Sequence, residues 1–199
     1  AMGLVLSVGR TIPQADQFVR AGQWPNGPMA LGRKVSGARL GIVGLGRIGK
    51  AIARRASGFG MPIAYTARSE KTDSGFKFFP SAAELAANVD FLVVITPGGA
   101  GTKHLINAEV LKALGSRGFL INVARGSVVD EQALIEALQN GTIAGAGLDV
   151  FANEPNVPEA LWPLSNVVLT PHMASATTET RQAMADLAFA NMQAGTSGQ

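Results

Sequence analysis

The hexapeptide Gly44-Leu-Gly46-Arg-Ile-Gly49 constrains this chain more than any other stretch. It follows an apolar run at 39–43 and opens a helical pattern that begins near Ile48. Each glycine has its own physical reason. Gly44 permits a tight turn out of a strand, Gly46 lets the main chain approach a pyrophosphate, and Gly49 lets the helix pack close to that strand. The helix start then offers unpaired N–H groups and a partial positive charge to the phosphates. A bare G-x-G-x-x-G among 24 glycines is a weak sign of a nucleotide site. A strand before it and a helix after it make the sign specific.

The rest of the chain repeats the same unit. Apolar runs at 39–43, 62–66, 91–95, 118–122, 144–150 and 167–170 are hydrophobic on both alternating faces, as strands between two helical layers must be. Helical patterns separate them. Ser81-Ala-Ala-Glu84 has the form of a capping box, and Asp130 caps a helix running to Asn140, where Gly141 can end it. Repeated β-α-β units force parallel strands with right-handed crossovers. The expectation is an α/β fold, a Rossmann-type doubly wound parallel sheet over residues 37–192.

The two ends differ in kind. Residues 4–10 read as the end of a connecting helix. The stretch 20–31 carries Trp24 and Pro25 among Gly22, Gly27 and Pro28 and cannot bury itself as a regular element. Residues 1–36 are therefore read as a connecting helix plus an arm that contacts a second subunit, making the protein a homodimer. Residues 193–199 read as a disordered tail.

Composition narrows the function. No run approaches the roughly 18–20 apolar residues of a membrane span, and the apolar opening lacks a basic leader. The net charge is only +3 and its cations are scattered, whereas nucleic-acid binding needs a clustered basic stripe. With no cysteine and two histidines there is neither a disulfide framework nor a zinc set, so no metal site is expected. A reducing cytoplasm fits.

Sites that bind NAD place a carboxylate on the ribose 2′-hydroxyl near the end of the second strand. Here that stretch is Ala64-Tyr-Thr-Ala-Arg68-Ser69, with no carboxylate before Glu70. Arg68 offers a forked cation to a 2′-phosphate and Ser69 a further hydrogen bond, so NADP is the expected cofactor, with NAD possible.

Three polar signatures follow successive later strands: Asn122-Val-Ala-Arg125-Gly126, Asp149-Val-Phe-Ala-Asn-Glu154-Pro155 and Thr170-Pro171-His172. All fall at carboxyl ends of strands, the edge where open α/β sheets bind ligands. Arg125, Glu154 and His172 suit reduction of a 2-oxo acid. Arg can grip a carboxylate, His can protonate a carbonyl oxygen, and Glu can orient the ring. His104 sits in a loop without an evident partner and reads as a surface residue.

The stretches GIVGLGRIG (41–49), NVARGSVVDEQALIEAL (122–138), GLDVFANEP (147–155) and LTPHMASAT (169–177) resemble the signatures of the D-2-hydroxyacid dehydrogenases. The similarity runs over roughly residues 4–192. It implies that Arg125 binds the substrate carboxylate, that His172 is the acid/base, and that Glu154 is its partner. It also implies that Asp149 and the loop Thr96-Pro97-Gly98-Gly99 lie along the nicotinamide side. Leu45, Arg47, Ile48, Thr102, Val123, Ala124 and Ala174 complete the expected cofactor contacts. Ala67 takes the place of the acid of NAD-using members, and Ala-Arg-Ser with Pro-Gly-Gly is similar to NADPH-dependent glyoxylate, hydroxypyruvate and hydroxyphenylpyruvate reductases. Family members carry a second, substrate domain that this stretch does not include. An alternative is a nicotinamide-sensing module of the same fold whose output is partner binding.

Overall fold

A computed structural model describes residues 1–196. Two helices, α1 (Met2–Gly9) and α2 (Ile12–Arg20), precede β1 (Leu40–Val43) and α3 (Arg47–Ser57). Then come β2 (Ile63–Thr66), β3 (Lys77–Phe78), α4 (Ala82–Ala86), β4 (Phe91–Val94), α5 (Ala108–Leu114) and β5 (Phe119–Asn122). The chain continues through α6 (Glu131–Gln139), β6 (Gly145–Leu148), β7 (Val167–Leu169) and α7 (Thr178–Thr196). The strands form one seven-stranded sheet in the order β3-β2-β1-β4-β5-β6-β7, every pair parallel.

All six expected strands form, and the doubly wound parallel sheet stands. β3 adds a seventh. Two residues cannot display a period of two, so β3 left no pattern to read. The alternation along β4 shows how both faces are filled. Leu92 and Val94 pack with Leu85, Leu111 and Leu134 of the α4–α6 layer, while Phe91 and Val93 pack with Val5, Ile52 and Ala53 of the α1/α3 layer. Burial of this sort on both faces drives the doubly wound arrangement. Gly147 belongs to the same logic: a Cβ there would stand 2.9 Å from Leu4 Cβ, so only glycine lets α1 lie this close to β6.

The local signals hold where they were readable. Ser81 Oγ accepts the Glu84 N–H at 3.1 Å, and Asp130 Oδ1 accepts the Ala133 N–H at 3.1 Å. Gly141 follows α6 at φ +69°, in the left-handed region that suits glycine. Three details go beyond the sequence reading. α2 adds a helix between the connecting helix and the irregular stretch; it buries none of its residues and leaves Ile12 and Val19 exposed. α7 runs through Thr196, so 193–196 are helical rather than a disordered tail, continuing the helix that precedes them; 197–199 lie outside the described residues. His104 is half exposed, as a surface residue is, though its Nδ1 stands 3.9 Å from Asp130 Oδ2.

The register sets up the site. Thr66, Val43, Val94, Asn122, Leu148 and Leu169 form one row across β2, β1, β4, β5, β6 and β7. The next residue of each strand therefore leaves the sheet along a common edge.

Candidate active site

That edge carries every polar signature found in the sequence. After β1, Gly44 turns at φ +105° and donates its N–H to the Thr66 carbonyl at 2.9 Å, which ties the glycine loop to the end of β2. A Cβ on Gly49 would collide with the Gly44 carbonyl oxygen. Gly46 has nothing within 4 Å of where a Cβ would stand, so its main chain is open to a ligand at the start of α3. Leu45 is buried and can offer only its main chain. This cradle fits a pyrophosphate.

Between the ends of β1, β4, β5 and the loops beyond β6 and β7 lies a cleft of about 880 Å³. The structure brings Ile48, Thr96, Pro97, Val123, Ala124, Arg125, Glu154 and His172 into its lining. Gly44, Leu45, Gly46, Arg47, Gly49, Arg68, Ser69, Thr102, Asp149 and Ala174 lie outside that lining. Arg68 and Ser69 follow β2, one strand beyond the glycine loop, and both are exposed. Arg68 makes no hydrogen bond or ion pair among the described residues, so its guanidinium is available.

His172 and Glu154 form a dyad. His172 Nδ1 lies 2.7 Å from Glu154 Oε2, and Glu154 Oε1 accepts the Phe151 N–H at 3.0 Å. The hydrogen bond to His172 is the main reason the Glu154 carboxyl lies below its ordinary pKa. Burial opposes the shift; the Phe151 N–H and the charges of His172 and Arg125 add to it. Glu154 is thus a carboxylate at neutral pH and can only accept, so Nδ1 carries a proton and Nε2 is left out of that bond.

Arg125 is held from behind. The Asn122 side chain donates to the Arg125 carbonyl at 3.1 Å and accepts from the Ala124 N–H at 3.1 Å. A Cβ on Gly126 would overlap the Phe151 carbonyl, so the Arg125 loop lies directly on the loop that carries Glu154. Glu131 Oε1 adds a bond from the Ala152 N–H at 3.1 Å. Asn122, Gly126 and Glu131 stand in quoted motifs, yet their supporting roles depend on which loops touch. No sequence spacing reports that.

Two of the expected cofactor contacts also brace the loops of the site. The Thr102 hydroxyl bonds the Pro97 carbonyl at 2.7 Å and braces the Thr96–Gly99 loop. Asp149, 3% exposed, accepts from Thr170 Oγ1 at 2.6 Å, Met173 N at 2.9 Å and Ala174 N at 3.1 Å. Its carboxylate clamps the loop on which His172 sits at φ +50°.

A doubly wound sheet, a glycine cradle and a histidine–carboxylate pair beside an arginine define a dinucleotide-binding domain with a cluster of ionisable groups at its ligand edge. Residues 2–174 match the family model of the D-isomer specific 2-hydroxyacid dehydrogenase NAD binding domain, and the chain belongs to that family. It is 50% identical over 198 residues to glyoxylate/hydroxypyruvate reductase A of Arabidopsis thaliana, covering 100% of this chain and 63% of that protein. It is 52% identical over 198 residues to hydroxyphenylpyruvate reductase of Plectranthus scutellarioides, again covering 100% and 63%. Among solved structures, an NADPH-dependent glyoxylate/hydroxypyruvate reductase of Sinorhizobium meliloti in complex with NADP and malonate superposes with a TM-score of 0.93 at 54% identity, covering 97% of this chain and 61% of that one. The chain thus spans less than two thirds of the length of these relatives.

Proposed function

We propose that this chain is the cofactor-binding part of an NADPH-dependent reductase that converts a 2-oxo acid, such as glyoxylate or hydroxypyruvate, to a D-2-hydroxy acid. The observation that carries the reading is the 2.7 Å His172–Glu154 pair sharing one cleft with Arg125. The names of the relatives point to the same substrates, and the Sinorhizobium meliloti structure is a complex with NADP and malonate, a dicarboxylate.

Each residue has a task. Arg125, the cation of the cleft lining, grips the substrate carboxylate in forked fashion and draws the adjacent carbonyl toward the dyad. His172 gives the carbonyl oxygen a proton from Nε2, and Glu154 fixes the ring through Nδ1. The Gly44–Gly49 loop holds the pyrophosphate, Arg68 and Ser69 the 2′-phosphate, and the Thr96–Gly99 loop and Asp149 border the nicotinamide. When bound, NADPH supplies the hydride that reduces the carbonyl carbon. The exposed Trp24 and Leu31 fit an arm that seats on a second copy, making a homodimer. Among the described residues no helix is long and apolar enough to cross a membrane. A cytoplasmic site rests on the absence of cysteine.

The test is NADPH oxidation on addition of glyoxylate or hydroxypyruvate by the full-length protein, alongside NADPH and NADH titrations of wild type and Arg68→Ala. One or two charge-assisted hydrogen bonds of about 1.5–3 kcal/mol each, discounted for exposure, give on the order of tenfold preference for NADPH. The variant loses that preference and keeps its NADH affinity. No turnover with any 2-oxo acid sinks the reductase reading, and equal weakening of both cofactors sinks the role of Arg68.

A further inference from the structure

Tyr65 is the one tyrosine of the chain and is fully buried, one residue before the end of β2. Its ring packs in the α1/α3 layer and lies 5.4 Å from the Phe78 ring. Packing alone would be served as well by phenylalanine. The hydroxyl needs a polar partner, because a buried O–H without one is costly. It finds two on a single residue: it accepts the Lys71 N–H at 2.6 Å and donates to the Lys71 carbonyl at 3.3 Å.

Those bonds span six residues of sequence and close a loop. The chain leaves the sheet after Thr66, whose carbonyl anchors the glycine loop, and passes through Ala67, Arg68, Ser69 and Glu70. At Lys71 it is drawn back to the body of the domain. The same turn is secured just beyond Lys71 by the Ser74 N–H to the Lys71 carbonyl at 2.9 Å and by the Lys50–Asp73 ion pair at 3.0 Å. Lys71 Nζ lies 3.4 Å from Ser69 Oγ, which places a second cation beside the hydroxyl that neighbours Arg68. A guanidinium, a hydroxyl and an ammonium on one short turn form a phosphate cradle only while the turn keeps its shape.

We propose that Tyr65 is a positioning residue for cofactor discrimination: its hydroxyl holds the 67–71 turn so that Arg68, Ser69 and Lys71 meet a 2′-phosphate together. This rests on the reading that the turn after β2 receives that phosphate. The phosphate group is absent from NADH, whose pyrophosphate is held by a different loop. The hydroxyl therefore matters to one cofactor and not to the other.

The experiment titrates NADPH, NADH, 2′,5′-ADP and 5′-AMP into the 199-residue chain as wild type, Tyr65→Phe and Arg68→Ala. Tyr65→Phe is expected to weaken NADPH and 2′,5′-ADP by about threefold to tenfold, part of the worth of one charge-assisted hydrogen bond, and to leave NADH and 5′-AMP within about twofold. A general loosening of the fold would lower all four together, and that result overturns the proposal. If Arg68→Ala loses NADPH while Tyr65→Phe does not, the clamp is wrong and the phosphate site stands. If neither variant discriminates, the phosphate reading itself falls. Hydrogen exchange on the wild-type chain gives a check that does not depend on the variant folding. The Lys71 amide should be protected well beyond its exposed neighbours, and exchange at the rate of an open loop would overturn the clamp.

Discussion

Replacing Asp149 should release His172 from its left-handed conformation, and the structure supplies both sides of the balance. A non-glycine residue at φ +50° costs about 1–3 kcal/mol unless its surroundings over-determine it. The Asp149 carboxylate makes three hydrogen bonds to the loop, from the Thr170 hydroxyl and the Met173 and Ala174 N–H groups. Bonds to a charged acceptor are worth about 1.5–3 kcal/mol each, so even at the low end the clamp outweighs the strain. Asp149→Ala removes all three. Apart from the local bond of the His172 N–H to the Thr170 carbonyl at 3.1 Å, what remains is the His172–Glu154 pair, whose side chains are 48% and 33% exposed, and pairs that open to water hold by about 1 kcal/mol or less. Strain then wins and the dyad opens. Asp149→Asn keeps one acceptor oxygen and turns an NH2 toward the Ala174 N–H. About 2 kcal/mol of neutral hydrogen bonding is left, close to the strain, so a mixture of conformers is expected. With only two histidines in the chain, the His172 ring and amide signals can be assigned by NMR against a His104 variant. The amide–Hα coupling of His172 reports φ, and the Nδ1 proton shift reports the bond to Glu154. An Asp149→Ala chain that keeps both would refute the argument. So would one that loses them only together with the whole fold.

A second prediction concerns acid. Asp90 sits 13% exposed at the start of β4, bonded to Arg33 at 2.9 Å and to Arg39 through both its side chain and its N–H. The hydrogen bond to the Arg39 side chain is the main cause of its lowered pKa. Burial opposes the shift, and the Arg39 N–H and the charges of Arg39 and Arg33 support it. A depressed carboxyl stabilises the fold in full above its unfolded value and loses that contribution as pH falls through the folded one. Asp90→Asn should therefore cost about 1–2 kcal/mol in urea denaturation at pH 7, and the difference should shrink below about pH 4. A difference constant down to pH 2 would mean that packing, not charge, holds this corner. The proposed arm is checked by light scattering: Trp24→Ser with Leu31→Ser should shift a dimeric wild type toward monomer, and a monomeric wild type at high micromolar concentration would end that assignment.

Much of the site was readable because its parts are local. The glycine loop is six consecutive residues whose turn, approach and packing demands all lie within one strand–helix junction. The row of polar signatures was readable for a related reason. In a parallel sheet every strand runs the same way, so residues after successive apolar runs must emerge on one edge. Arg125, Glu154 and His172 could be placed there before any coordinate was known. Tyr65 could not be singled out, because in the sequence it is an aromatic residue in a strand. Its hydroxyl acquires a role only when a loop six residues on returns to it. The turn of the Asp149 carboxylate to the His172 loop was equally hidden, a contact across 21–25 residues of sequence.

The sequence by itself determined the sheet, the cradle and which polar groups stand at the ligand edge, since these follow from period, glycine freedom and residue chemistry acting over short stretches. Only the tertiary structure decided which side chains support them: Asn122 under Arg125, Glu131 and Gly126 against the loop of Glu154, Asp149 behind His172, Tyr65 beneath the 67–71 turn. Each of these is a meeting of loops from different strands, and hydrogen-bond geometry is fixed to a few tenths of an ångström only after the core has packed.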